Sequence, residues 1–137
     1  MARAYRADFS REEMMDVTAL IDRYCRVWNE GDPSVRADVL ASIWAADATY
    51  TDPSIHALNA RELLNHIATV RARRPGASVL RTSAVDVHHS VARFAWHVVQ
   101  ADGIALPEGI DIAFISSDGS RIERIIGFFG PLARTPT

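Results

Sequence analysis

The sequence predicts an α+β domain in which helices cover one concave face of a curved, cone-shaped antiparallel sheet. Two observations lead to this prediction. Apolar residues recur at helical spacing through most of the first 74 positions, interrupted by one short strand. From position 78 onward the chain changes to segments rich in β-branched and aromatic residues, separated by turn signals. Helices layered on one face of such a sheet leave room for a pocket between them.

Length and composition fit one globular domain spanning residues 1–137, with 48% hydrophobic and 23% charged residues. The net charge of −2, with acids and bases interleaved, offers no basic stripe for nucleic acid. The single cysteine, Cys25, excludes an intrachain disulfide and favours a reducing compartment. We find neither a signal peptide nor a membrane-spanning run, so a soluble, cytoplasmic protein without a membrane partner is expected.

The first two helices have clear start signals. Ser10 with Glu13 forms a capping box, and apolar positions at helical spacing follow, which predicts a helix over 11–29. Asp32 can cap a second helix that has Pro33 in its first turn, and this helix again carries an amphipathic pattern.

A short strand, "TYTDP", follows the second helix and leads to a third one. Asn59 and Glu62 form another capping box in front of "ARELLNHIATVRARR". Pro75 and Gly76 predict that this helix ends just before them. The basic run at 71–74 lies near the helix C-terminus, where positive charge is favourable, and its ordinary interpretation is a solvated helix end.

The remaining chain predicts strands. Asp118 and Gly119 mark a hairpin turn, and residues 101–103 mark a second one. The predicted strand segments are "SVLRTSAVDVHH", "SVARFAWHVVQ", "GIDIAFISS" and "RIERIIGFFG". In "GIDIAFI" both faces are apolar apart from Asp111, so we expect one face to meet the helices and the other to meet a partner subunit.

Two aspartates raise a question of function. Asp111 lies within an apolar strand, where an isolated anion is costly, so it either bonds a backbone amide or an arginine or is kept neutral as a hydrogen-bond donor. Asp52 precedes Pro53 at the end of a strand and has either a turn role or the role of a positioned base. Tyr24 shares a helix face with Trp28 and points toward the sheet, where a buried phenol needs a polar partner.

These residues also carry a family resemblance. The series "RYCRVWNEGD", "IWAADATYTDP" and "GIDIAFISSDGSRIERIIGFFG" resembles the nuclear transport factor 2-like superfamily, in particular its SnoaL-like polyketide cyclase and ketosteroid isomerase-like branch, over roughly residues 12–132. The resemblance implies a cystatin-like fold. It also implies that Asp52 removes a proton next to a carbonyl, while Tyr24 and a neutral Asp111 bind the enolate oxygen. This chemistry needs no cofactor.

The resemblance and the strand alternation also predict a pocket for a small apolar or aromatic molecule. For each single aromatic, the ordinary alternative is core packing. The residues expected to line the pocket or its mouth are Trp28, Trp44, His56, Phe94, Trp96, Val98, Ile125 and Phe129.

The sequence leaves two alternatives open. The fold also serves as a non-catalytic ligand-binding or dimerisation module. An epoxide hydrolase would need an arginine between two carboxylates, whereas Arg93 and Arg124 are expected to point away from the pocket. No metal-ligand spacing or phosphate loop occurs, so neither a metal nor a nucleotide is expected. We further expect a homodimer through Ile110, Ile112 and Phe114.

Overall fold

The computed structural model describes residues 11–136. Helix α1 spans Arg11–Asn29, as the sequence predicts. The predicted capping box depends on Ser10 and the Glu13 side chain, which lie outside the described residues. Within the described part of the chain, no helix combines the length and apolarity needed to cross a membrane.

The next two helices begin at the predicted caps. Helix α2 spans Pro33–Ile43, and Oδ1 of Asp32 accepts hydrogen bonds from the N–H groups of its first turn. Helix α3 spans Ala60–Arg73, and Oδ1 of Asn59 accepts a 2.9 Å hydrogen bond from the Glu62 N–H. These bonds satisfy backbone donors that have no partner within the helix. Helix α3 ends just before Pro75, as predicted.

Seven strands form one sheet in the order β2-β1-β7-β6-β5-β3, with β4 also paired to β5. Their bounds are Trp44–Asp52 (β1), Ile55–Ala57 (β2), Ser78–Arg81 (β3), Asp86–His88 (β4), Val91–Val99 (β5), Gly109–Ile115 (β6) and Ile122–Phe129 (β7). The chain is therefore an α+β protein with three helices against a seven-stranded sheet over the described residues.

The expectation of an antiparallel sheet is wrong at one place. Strand β1 pairs with β7 in parallel, with Thr51 opposite Ile126. Hairpins force neighbouring strands to be antiparallel, but β1 and β7 are joined by a helix and five strands. A long crossover of that kind permits parallel pairing.

The segment predicted as one strand from Ser78 to His89 is also different. It forms β3 and β4, which pair with the two ends of β5. Between them the Ser83 hydroxyl accepts a 2.8 Å hydrogen bond from the Ala95 N–H. A side chain therefore replaces the backbone partner at this point of the sheet.

The register of β6 and β7 decides which side chains face the helices. Asp111, Ala113 and Ile115 are buried on the inner face, whereas Ile110 and Phe128 lie opposite one another on the outer face and are exposed. The inner face of β6 is therefore covered, as its sequence predicts, whereas the covering of its outer face by a partner subunit stays a prediction.

Candidate active site

A cavity of about 410 Å³ lies between the helices and the inner face of the sheet. This volume is in the usual range for a small-molecule site. Most of its wall is apolar or aromatic, and polar groups are few. The lining residues are Tyr24, Cys25, Trp28, Tyr50, Asp52, Val70, Arg74, Val79, Phe94, Trp96, Val98, Leu106, Pro107, Asp111, Phe129 and Gly130.

Asp111 is the buried carboxyl of β6 on this wall, with 4% of its surface exposed. Its Oδ1 accepts a 2.8 Å hydrogen bond from the indole N–H of Trp96. Burial raises the pKa of Asp111 to about 7, with a smaller contribution from the charge of Asp52, whereas the Trp96 hydrogen bond lowers it. Asp111 is therefore a carboxyl that can hold a proton near neutral pH and offer it to a ligand.

Two glycines make room for this arrangement. Gly109 pairs with Trp96 across β5 and β6, and a Cβ at position 109 would lie 2.4 Å from the indole ring. Gly127 pairs with Asp111 across β6 and β7, and a Cβ there would lie 2.7 Å from Asp111 Oδ1 and 3.5 Å from Asp52 Cβ. Gly127 thus lies between the two aspartates, and its missing side chain opens the space between them.

Asp52 ends β1 and is 8% exposed. Its Oδ2 accepts a 2.6 Å hydrogen bond from the Tyr50 hydroxyl, while Oδ1 accepts 2.7 Å bonds from both the N–H and the hydroxyl of Ser54. His66 Nε2 lies 3.9 Å from Oδ2, and burial lowers the His66 pKa, which favours a neutral ring. The carboxylate is therefore held in a fixed orientation by three donors.

The phenol of Tyr24 accepts a 2.9 Å hydrogen bond from the indole N–H of Trp28, one helical turn away. Its own O–H is left as a donor, because no described residue accepts from it. Burial, followed by the charge of Asp111, raises the Tyr24 pKa well above its ordinary value. Tyr24 therefore stays a neutral hydrogen-bond donor on the cavity wall.

All three residues expected to be catalytic, Tyr24, Asp52 and Asp111, line this one cavity. Of the residues expected to bind substrate, five line it as well: Trp28, Phe94, Trp96, Val98 and Phe129.

The structure places the other three elsewhere. Trp44 is buried behind the wall and stacks on Tyr24, with ring centroids 6.3 Å apart. His56 is exposed on β2, and its ring nitrogen lies 2.6 Å from the Thr51 hydroxyl. Ile125 is fully buried within the sheet layer and does not reach the cavity.

Sequence reasoning missed two polar residues near the aspartates. Tyr50 lines the cavity and donates to Asp52, and a strand alternation of period two, which puts positions 50 and 52 on one face, could have indicated it. His66 comes from α3, and no local pattern links it to β1. Cys25 also lines the cavity, and burial raises its pKa to about 12, so its thiol stays protonated.

Several other site types have little support in the described residues. No cluster of three or more His, Cys, Asp or Glu side chains there could hold a metal ion. Arg93 bonds Asp86, and Arg124 lies over the Phe114 ring, both outside the cavity. Arg74 lines the cavity but forms no ion pair with either aspartate, unlike the arginine expected of an epoxide hydrolase.

The comparisons with solved structures agree with this fold. A protein from Agrobacterium tumefaciens strain C58, provisionally named an isomerase of the SnoaL-like family, is similar with a TM-score of 0.80 and 25% identity, covering 85% of this chain and 99% of that one. A nuclear transport factor 2-like protein from Salmonella enterica aligns with a TM-score of 0.67 and 19% identity, over 90% of this chain and 94% of that one. A protein from Sinorhizobium meliloti, provisionally named a polyketide cyclase, aligns with a TM-score of 0.65 and 16% identity, over 83% and 97%.

No family model matches the chain. No curated protein matches it.

The fold is the one found in solved structures described as nuclear transport factor 2-like and as cystatin-like. The similarity to the protein from Agrobacterium tumefaciens, which is named for the SnoaL-like family, supports the resemblance seen in the sequence.

Proposed function

We propose that this protein is an enzyme that moves a proton next to a carbonyl group of a small apolar or aromatic molecule, without a cofactor. Double-bond isomerisation and aldol cyclisation are examples of such reactions. The observation on which the proposal chiefly depends is Asp111, a buried carboxyl with a pKa of about 7 on the wall of an apolar cavity. A purely structural aspartate in a sheet has no need of such a position.

The proposed roles follow from the hydrogen bonds. Asp52 is the base: it takes a proton from the carbon next to the carbonyl, and the electron pair of that C–H bond moves toward the carbonyl oxygen. Tyr24 and protonated Asp111 donate to the oxygen as it becomes an enolate, which lowers the barrier. In an isomerisation Asp52 then returns the proton to a different carbon, so that no atom is gained or lost.

The proposed donor role of Asp111 sets a pH dependence. Asp111 must be protonated to donate, so turnover falls as the pH rises through about 7. Tyr24 does not titrate in this range, because burial raises its pKa. A loss of turnover as the pH rises through neutrality would therefore report the loss of the proton from Asp111.

The test compares turnover of 3-cyclohexen-1-one, a β,γ-unsaturated ketone, with binding of 2-naphthol, which mimics an enolate. Asp52→Asn is expected to reduce turnover by about a hundredfold or more. It should bind 2-naphthol at least as tightly as the wild type, because it removes a negative charge from the site. Asp47→Asn, on the exposed part of β1, is the matched control and should leave both unchanged.

An unchanged rate in Asp52→Asn would remove Asp52 from the mechanism. If the wild type binds 2-naphthol but turns over no ketone, the second candidate function applies, a non-catalytic ligand-binding protein. One observation favours that alternative: proton uptake by Asp52 would weaken the three hydrogen bonds that it accepts from Tyr50 and Ser54.

A further inference from the structure

The cavity continues outward into a second space of about 450 Å³ with a different character. The two spaces share five lining residues: Trp28, Val70, Arg74, Val79 and Val98. The outer space, here called the arginine groove, is bounded further by Asn29, Arg71 and residues 75–78. A molecule longer than the apolar cavity would extend into this groove.

The groove holds two arginines that form no ion pair with a described carboxylate. Arg71 donates a 2.9 Å hydrogen bond from Nη1 to the Trp28 carbonyl, and Arg74 makes one long contact, 3.4 Å, to the amide oxygen of Gln100. These partners are neutral, so the groove keeps a net positive charge.

Three other arginines of the described chain are paired with carboxylates. Arg26 pairs with Glu30, Arg81 pairs with Asp22, and a third pair joins the side chains of residues 86 and 93. Arg71 and Arg74 have no such acidic partner among the described residues, and they are the two charged residues that line the groove.

The helix C-terminus alone does not explain why Arg71 and Arg74 both line the groove. Basic residues are favoured near a helix C-terminus by the helix dipole, and this applies to Arg71, Arg73 and Arg74 alike. Yet Arg73, on the same turn, lines neither space, whereas its two neighbours line the groove. Buried Arg36 lies near Arg71: burial and then the charge of Arg71 lower the Arg36 pKa, while the charges of Glu30 and Asp32 act in the opposite direction.

We infer that the ligand of this protein is an apolar carbonyl compound with a carboxylate at the end remote from the carbonyl, and that Arg74, supported by Arg71, binds this carboxylate in the arginine groove. The inference rests on the proposed function for the inner end of the molecule. The planar guanidinium suits a carboxylate, with which it can form two parallel hydrogen bonds. Arg74 is then a specificity-determining residue that takes no part in proton transfer.

The experiment uses ω-(4-hydroxyphenyl)alkanoates of increasing chain length and the matching primary amides, with quenching of tryptophan fluorescence as the readout. Trp28 and Trp96 on the cavity wall provide the signal. The phenol tests the inner site, and the carboxylate tests the groove. At one chain length the carboxylate should bind about tenfold more tightly than its amide, as expected for a charge-assisted hydrogen bond.

Arg74→Gln should reduce this carboxylate preference to near unity and leave amide binding unchanged. Arg73→Gln, the matched control on the same turn, should keep the full preference. The preference should also shrink between low and high salt, because Arg74 is exposed to solvent. Thermal unfolding of each variant shows that the substitution leaves the fold intact.

Equal binding of carboxylate and amide at every chain length would overturn the inference. So would a preference that survives in Arg74→Gln. The proposed function fails in a separate way, namely when the amides bind but the wild type does not turn over the unsaturated ketone. Even in that case, a carboxylate preference that depends on Arg74 would support the binding of a carboxylate in the arginine groove.

Discussion

The indole N–H of Trp96 donates a hydrogen bond of 2.8 Å to Oδ1 of Asp111, reaching across Gly109 from the neighbouring strand. This bond stabilises the charged form of Asp111, while burial opposes it, and the balance leaves the pKa at about 7. The other oxygen, Oδ2, has no described partner and can hold the proton. One hydrogen bond thus decides which oxygen faces a ligand as a donor.

Trp96→Phe should raise the pKa of Asp111 above about 7, because it removes the contact that lowers it. The measurement is the pH titration of the Asp111 carboxyl carbon by NMR. Trp44→Phe is the control, since Trp44 is buried away from the cavity and its indole N–H has no hydrogen-bond partner among the described residues. A pKa that stays the same or falls in Trp96→Phe would contradict the assigned role of this bond.

Asp111 should make stability depend on pH. Its pKa is 3.8 in the unfolded chain and about 7 in the folded protein, so the folded state binds the extra proton between these values. The free energy of unfolding then falls as the pH rises through this window, by about 4 kcal/mol in total at roughly 1.4 kcal/mol per unit. Asp111→Asn lacks this loss, so its stability relative to the wild type should rise from pH 4 to pH 8.

Urea unfolding at a series of pH values measures this difference. The same substitution at exposed Asp47 controls for the removal of one carboxylate. A stability difference between Asp111→Asn and the wild type that does not change with pH would show that Asp111 titrates normally.

Gly127→Ala should disrupt the pair of aspartates, since its Cβ would lie 2.7 Å from Asp111 Oδ1. We expect a loss of about 1–3 kcal/mol in stability, as for overpacked cores, and at least tenfold weaker binding of 2-naphthol. Gly31→Ala is the matched control, because its Cβ would meet only the Arg71 side chain at 3.5 Å, an ordinary contact. Wild-type affinity in Gly127→Ala would show that the space between the aspartates does not matter for binding.

The outer face of the sheet is proposed as a homodimer interface. Ile110, Ile112 and Phe114 lie on this face, with Phe128 and Ile126 opposite the first two on β7. Covering apolar side chains of this kind stabilises a symmetric dimer. Ile110→Lys should therefore shift sedimentation at micromolar concentration from dimer to monomer, whereas Leu58→Lys, at another exposed apolar site, should not. A wild type that sediments only as a monomer would refute the interface.

The parts of the fold that depend on local sequence could be predicted. Asp32 and Asn59 cap helices where the spacing indicated, because capping involves residues three or fewer positions apart. The alternation that buries Asp111 follows from the period of a strand. The parallel pairing of β1 with β7 could not be found this way, because it joins distant parts of the chain.

The candidate site, too, could be predicted only in part from the sequence. The resemblance supplied Tyr24, Asp52 and Asp111, which line one cavity. His66 approaches Asp52 only through the packing of α3 on β1, and no spacing in the sequence reports that contact. Gly109 and Gly127 did leave a signal, since a glycine inside a strand often marks a close approach of another group. The position of His56 on an exposed strand follows from β2 pairing with β1, which the loop sequence did not indicate.

The parallel neighbour of β1 is the last strand of the sheet, and Gly127 on that strand stands between the two acids. During synthesis on the ribosome, Asp52 and Asp111 both emerge before the segment that sets their spacing. Neither half of the sheet can assemble the pair alone. Because β7 lies between β1 and β6, the two acids come together only when β7 is paired with both of its neighbours.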